Sequence, residues 1–376
     1  MRLVLSTVLS SPICVSFFTL SSPLCDFAFN FDHVELHPSH IRLNGHLVPV
    51  DDLLRRNLDG AGWEQDWLRF LVEWYNVADY IEVKTSGSTG EPKTIRLKKQ
   101  FVAASALRTI QFFGLNEDDR VLHCLPSRFI AGKLMVIRAL LGRLDLYVVD
   151  PSTNFDILRQ GLSFKFAAMV VNQADKCLEF GFSNLEFLLL GGSSIPSALE
   201  QQLAPLRTAC FLGYGMTETA THIALRSLNG PQSDQRYHCL PGIRLALDER
   251  GCLLIDMPGL DGGYLKTNDL AQLTGNNTFR ILGRADHRII SGGMKFSPEV
   301  LEQKLEGTIN SAFIISSKPH DKLGQQLVLV VEGTENPNLL TQIKAACKER
   351  LNRYEQPREI IFIKELPRTE NGKLKR

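Results

Sequence analysis

FAAMVVNQADKCLEFGFSNLEFLLLGG (166–192) holds two apolar runs with a more polar stretch between them, and the second run closes on a glycine pair. Runs this short and uninterrupted suit strands covered on both faces, and the stretch between them suits a helix returning to the same sheet edge. Outward from it the same alternation continues through VLHCL (121–125) and LDLYVVD (144–150). It predicts an α/β fold with largely parallel strands. Further upstream Trp63, Trp67, Phe70, Leu71 and Trp74 recur at three- and four-residue spacing, which predicts an amphipathic helix over 63–75.

From about Gly251 the pattern shortens into glycine-punctuated segments such as GCLLID and GLDGGYLKTND, which read as hairpins of a β-rich subdomain. After GRADHR (283–288) a compact tail follows: helix SPEVLEQKLEG, strands SAFIISS and QQLVLVVEG, helix NPNLLTQIKAACKERL and strand EIIFIKEL. A tail with its own apolar pattern predicts a separate small α+β domain over 286–376 behind a large domain over 26–285. No internal repeat or low-complexity tract is present.

Length and composition agree, since 376 residues exceed the usual size of one core, and 44% hydrophobic with 22% charged residues excludes a disordered chain. A net charge of +1 gives no global field for nucleic acid or acidic membranes, so any anion must be held by local groups. Eight cysteines without a CxxC pair suggest neither zinc nor redox chemistry, and read as buried thiols of a reducing, cytoplasmic compartment. Residues 3–24 loosely imitate a secretory signal behind Arg2, but Pro12, Pro23 and the serines interrupt it. We read 1–25 as an extension or misplaced start, and expect no stable membrane insertion.

Five short motifs carry chemistry. In TSGSTGEPK (85–93), Gly87 and Gly90 free the backbone to turn N–H groups onto phosphate oxygens, Thr85, Ser86, Ser88 and Thr89 add hydroxyls, and Lys93 adds charge. It is not the GxxxxGK[ST] loop, and by composition alone a flexible surface linker is the plain alternative. YGMTET (214–219) follows an apolar run at a strand end, where ligands bind in open α/β sheets. There Tyr214 can stack on a base beside Gly215, Thr217 can donate to phosphate, and Glu218 can hold Mg²⁺; a capped strand-to-helix turn is the plain alternative. Asp269 in YLKTND can accept from ribose hydroxyls or simply cap its turn, and Arg284 and Asp286 in GRADHRIISGG fall at the expected boundary. Lys373 in PRTENGKLKR follows Asn-Gly, so a turn displays it.

The order of these motifs, from TSGSTGEPK through YGMTET, TND, GRxD with IISGG and finally PxTxxGK, resembles the acyl-CoA synthetase, luciferase and peptide-synthetase adenylation superfamily over Thr85 to Arg376. The resemblance implies a large adenylate-forming domain with a reduced N-terminal subdomain and a small mobile lid. It assigns Thr85 to Lys93 to the β- and γ-phosphates of ATP, Thr217 and Glu218 to phosphate and Mg²⁺, and Asp269 and Arg284 to the ribose. Asp286 matches the hinge, Lys373 the lysine that drives adenylation, and Gly191, Gly192 and Ser193 the wall of the adenine and acyl pocket. Implied partners are ATP, CoA and a small-molecule carboxylic acid, with no nucleic acid; a homo-oligomer is allowed.

Within the superfamily DHRIISGGMKFSPEVLE resembles the o-succinylbenzoate:CoA ligases of menaquinone synthesis, and the 84 residues before the glycine-rich loop agree with a compact form. LPSRFIAGKLMVIRALLGR (125–143) departs from the common pattern, with Phe129 where a His is usual. It supplies Arg128, Lys133 and Arg138, and His222 with Arg226 lie one helical turn apart after YGMTET; any of these cations can hold the second carboxylate of o-succinylbenzoate or remain a solvated charge. An adenylating ligase that loads a carrier protein and an inactive nucleotide-binding scaffold are the rival readings.

Overall fold

The two apolar runs quoted first form adjacent parallel strands at the centre of a 13-stranded sheet. A computed structural model describes residues 34–59, 62–84, 93–151, 155–260 and 262–368; the expected extension 1–25, residues Thr85 to Gly90 and Lys373 lie outside the described residues. One sheet edge is the hairpin β1 (His40–Leu43) and β2 (His46–Pro49), followed by helices α1 (Val50–Leu54) and α2 (Trp63–Tyr75). Helix α2 spans the residues the spacing predicts, and it buries Trp67, Leu68, Phe70, Leu71 and Trp74.

Next, β3 (Tyr80–Lys84) and β4 (Thr94–Lys98) pair antiparallel as a separate ribbon, and α3 (Lys99–Phe113) follows directly. The parallel core then alternates strand and helix: β5 (Arg120–His123), α4 (Ile130–Gly142), β6 (Asp145–Val148), β7 (Phe164–Val170), α5 (Val171–Cys177), β8 (Leu185–Gly191), α6 (Ser197–Leu203) and β9 (Ala209–Met216). Its spatial order is β6-β5-β7-β8-β9, all parallel. The period of two divides the core: Phe166, Ala168, Phe187, Leu189 and Phe211 join α3 and α4 in one cluster. Ala167, Met169, Leu188, Leu190 and Leu212 join α5 and α6 in the other. Both faces are therefore apolar, which is why these strands show no alternation in the sequence.

Beyond β9 the sheet turns antiparallel through β10 (Thr221–Ser227), β11 (Tyr237–Cys239), β12 (Arg244–Leu247), β13 (Cys252–Asp256), β14 (Leu265–Gly275) and β15 (Thr278–Arg284). The tail forms a second, five-stranded sheet of β16 (Ile289–Ser291), β17 (Met294–Phe296), β18 (Phe313–His320), β19 (Gly324–Glu332) and β20 (Glu359–Ile363). With α7 (Pro298–Leu305) and α8 (Pro337–Arg350) it encloses a third apolar cluster around Leu301, Leu329 and Ile343. Cys124, Cys177, Cys210, Cys252 and Cys347 are buried free thiols, and Cys239 is half-buried. Among the described residues no helix is long and apolar enough to cross a membrane.

Lys133, read from sequence as an acid contact, is instead part of this framework. Its side chain is 7% exposed and its ammonium pairs with Glu73 of α2, donates 3.0 Å to the Glu82 carbonyl of β3, and lies 4.7 Å from the Phe70 ring centroid. It thus ties α4 to the ribbon that carries the glycine-rich loop. Lys133→Ala strands the Glu73 carboxylate, and because Glu73 keeps some solvent we expect a loss of about 2 kcal/mol, read by urea unfolding, with the KM for the acid unmoved. His123 is 2% exposed, and burial lowers its pKa from 6.5 to about 4. Burial lowers that of His222 as well, together with the charges of Arg138 and Arg108. The unfolded chain takes up these protons first, so the stability they contribute is complete above pH ~6.5 and falls as the pH drops below it, by up to about 1.4 kcal/mol per pH unit per group. Urea midpoints between pH 7.5 and 5 measure this slope, and His123→Asn should flatten it.

Candidate active site

The C-terminal ends of β7, β8 and β9 open into a cleft of about 1550 Å³, where open α/β sheets bind ligands. Lys93, Arg128, Arg138, Gly191, Gly192, Ser193, Tyr214, Gly215, Thr217, Glu218, His222, Arg226, Asp269 and Arg284 all line it. Residues from four sequence motifs and the 125–143 segment thus meet in one place. Asp286 stands just outside, and Lys133 faces the framework described above.

YGMTET is not a strand-to-helix turn. One 3-10 turn, Thr217–Thr219, reverses the chain, and β10 runs back antiparallel to β9 with His222 opposite Gly215. The approach is so close that a Cβ on Gly215 would stand 2.0 Å from the Thr221 carbonyl oxygen. Thr221 takes φ 90°, a strained value for a β-branched residue. Hydrogen bonds compensate: Thr219 Oγ1 donates 2.6 Å to the Thr221 carbonyl, and Ser105 Oγ of α3 donates 2.6 Å to that of Ala220. The reversal presents Thr217 and Glu218 at one level of the cleft and His222 at the next. At the end of β8, Gly192 (φ 89°) turns the backbone so that Gly191 to Ser193 form the opposite wall.

On the β-rich side, Asp269 and Arg284 are cross-strand partners of β14 and β15. Tyr214 donates 2.7 Å to Asp269 Oδ2, and Arg284 Nη1 lies 3.3 Å from Oδ1. The same guanidinium holds Asp286 through Nε at 3.0 Å and Nη2 at 2.8 Å. Partial burial pushes the Asp286 carboxyl up, but the Arg284 contacts outweigh it and leave it below the usual carboxylate range. Burial, then the charge of Asp269, raises the Tyr214 phenol well above its ordinary value. The result is a carboxylate with defined lone pairs beside an aromatic ring, suited to a ribose under a stacked base.

At the other end of the cleft the five acid-contact candidates separate. Arg128 is about half exposed at the mouth, 3.6 Å from Asp66 and over the Phe129 ring. Arg226 is buried but bidentate to Glu200 at 3.0 Å on both nitrogens, with Gln235 at 2.7 Å. His222 and Arg226 lie on strand β10 rather than on a helical turn, and a bulge between His222 and Ala224 sends them to opposite faces of the sheet, His222 toward Thr109 of α3 and Arg226 toward Glu200 of α6. His222 is 7% exposed, with Nε2 3.4 Å from Thr109 Oγ1. Arg138, 2% exposed, donates 3.4 Å to the Met135 sulfur and lies 5.9 Å from the Phe166 ring centroid, and among the described residues its Nε has no partner. Burial draws its pKa down to about 9, so it stays charged near neutrality.

The glycine-rich loop joins β3 to β4, whose end residues Lys84 and Thr94 are cross-strand partners at the cleft rim. Among the described residues no group of three or more His, Cys, Asp or Glu side chains gathers to hold a metal. Glu218 as a single carboxylate fits Mg²⁺, which keeps water and phosphate oxygens for its other positions. Sequence reading missed two features. Helix α7 brings Glu299, Glu302 and Glu306 to the cleft, and Ser197 Oγ donates 2.5 Å to Glu306. Arg108 of α3, buried at 3% exposure, belongs to the same helix face as Phe101 and Ser105, a spacing visible in the sequence.

Two family models match the chain: AMP-binding enzyme over residues 84–261 and AMP-binding enzyme C-terminal domain over 308–373. A solved acyl-CoA synthetase (AMP-forming)/AMP-acid ligase II-like protein from Dyadobacter fermentans is 35% identical, with 86% of this chain and 95% of that one covered at a TM-score of 0.58. A 2-succinylbenzoate–CoA ligase of Bacillus cereus is 26% identical over 82% of this chain and 71% of its own length. The o-succinylbenzoate coenzyme A synthetase of Bacillus subtilis, solved with ATP and magnesium ion, shares the fold at a TM-score of 0.66 and 24% identity, over 78% of this chain and 68% of that one. The chain belongs to the AMP-binding enzyme family, as an ATP-dependent, AMP-forming acid:CoA ligase.

Proposed function

We propose that the acid is o-succinylbenzoate and the product o-succinylbenzoyl-CoA, a step of menaquinone synthesis in the cytoplasm. One observation carries this reading: the inner end of the cleft holds Arg138, buried and with no ion-pair partner among the described residues. A monocarboxylic aliphatic acid offers nothing to such a guanidinium. A second carboxylate on a compact aromatic acid does. The names of the Bacillus relatives support the same choice.

In the first half-reaction a carboxylate oxygen of the acid attacks the α-phosphorus, a P–O bond forms, and pyrophosphate leaves with the electrons of the broken bond. Asp269 and Tyr214 orient the nucleoside, Thr217 and the loop 85–93 hold phosphates, and Lys373 meets the charge that grows on the α-phosphoryl oxygens. Glu218 would hold Mg²⁺, which when bound would supply charge neutralisation to the phosphates. In the second, the CoA thiolate attacks the acyl carbonyl and AMP leaves. We assign residues 26–285 to the large domain and 286–376 to a lid that turns at Asp286, withdrawing Lys373 between the two steps.

A panel of o-succinylbenzoate, benzoate and a fatty acid with ATP and CoA tests the acid. Only o-succinylbenzoate should give CoA-dependent AMP release; turnover of benzoate or the fatty acid in its place sinks the assignment. Arg138→Gln should raise the KM for o-succinylbenzoate by about tenfold or more. Lys373→Ala should abolish acid-dependent ATP–pyrophosphate exchange while CoA transfer from supplied acyl-adenylate survives, and equal loss of both half-reactions contradicts the lysine's role.

A further inference from the structure

The chain buries five cationic side chains outside its histidines among the described residues: Lys99, Arg108, Lys133, Arg138 and Arg226. Three are satisfied in ordinary ways. Lys99 donates to the Asn76 carbonyl at 2.7 Å, Lys133 pairs with Glu73, and Arg226 is bidentate to Glu200. The other two, Arg108 and Arg138, have no carboxylate partner, and the Nε of each is buried without any hydrogen bond. Burying a guanidinium is costly, so two unmatched ones in one molecule call for an anion that is not part of the chain.

Both exceptions converge on one imidazole. Arg138 and Arg108 each bear electrostatically on His222, whose Nε2 is 3.4 Å from Thr109, the residue after Arg108. Arg138 and His222 line the cleft, whereas Arg108 does not. It sits on α3, which packs against α4 and β10, the elements that carry Arg138 and His222. Arg108 keeps its charge near neutrality, since burial lowers its pKa only to about 10.

We infer that Arg108 is a second specificity-determining residue of the acid pocket, a positioning cation that acts through the His222 wall and, with Arg138, selects an acid whose non-reacting end is anionic. The inference rests on the acid assignment above and extends it from one guanidinium to two. Its logic is additive field: a charge within the low-dielectric wall favours an anion at the inner end of the cleft without touching it. The His222 imidazole, held neutral by its burial, adds no competing charge and keeps the hydroxyl of Thr109 engaged.

Arg108→Met tests this, because it leaves no buried partner stranded and removes a desolvated charge, so the fold should be retained or strengthened. Kinetics are compared for o-succinylbenzoate and for its analogue with the non-reacting carboxylate replaced by a carboxamide. We expect the KM for the dianion to rise by about tenfold with kcat within about twofold, the KM for the carboxamide to move less than about twofold, and Arg108→Lys to keep most of the wild-type preference. Equal shifts for both acids, or a Met variant that keeps the full preference of the wild type, overturns the role of Arg108 alone. A wild-type enzyme that does not prefer the dianion overturns the acid assignment together with it. Should the Met variant not fold, the Lys variant decides: a preserved preference supports the charge argument, and a lost preference overturns it.

Discussion

The site depends on one steric constraint, the crossing of β9 and β10 at Gly215. With 2.0 Å between the place of a Cβ and the Thr221 carbonyl oxygen, only glycine lets the two strands approach. That approach sets Tyr214, Thr217, Glu218 and His222 on successive levels of one cleft and forces Thr221 into a strained φ. The strain is held from outside the hairpin by Ser105, so α3, which follows the ribbon of the glycine-rich loop, also fixes the turn that carries Glu218. The ribbon of β3 and β4 and the turn that carries Glu218 are thereby tied to the same helix.

A chain with net charge +1 handles several anions by segregating its charges along the cleft. At the inner end stands the unmatched guanidinium of Arg138, and on the β-rich side stand Asp269 and Asp286, joined by Arg284. Buried cations elsewhere are neutralised by Glu73 and Glu200, so they add little field to the cleft. The distinction between Arg226 and Arg138 is a matter of partners, since both are buried and both line the same space. What separates the two is which cation the fold leaves without a carboxylate, Arg138 among the described residues.

That distinction also marks where sequence reading runs out. The parallel strands were legible because burial on both faces leaves runs such as LEFLLLGG, and α2 because its tryptophans repeat on one face. Lys133 was misassigned because its partner, Glu73, lies 60 residues away, and nothing local to AGKLM marks the pairing. His222 and Arg226 were placed on a helix because a four-residue interval suits either element; the hairpin with β9 decides for strand. Arg108 was legible on the inward face of α3, yet its meaning needs His222, 114 positions on by their numbers, to be brought beside it.

Arg284 links the two halves of the chemistry. It bonds Asp269, beside the ring of Tyr214, and bonds Asp286, in the short turn Ala285–His287 that follows the large sheet's last strand. The pair with Asp286 is the tighter one, with two contacts at 2.8 and 3.0 Å against one at 3.3 Å to Asp269. A group that accepts and donates at Asp269 therefore competes with the weaker contact first. One side chain thus joins the carboxylate beside the Tyr214 ring to the backbone at the start of the tail, without any moving loop between them.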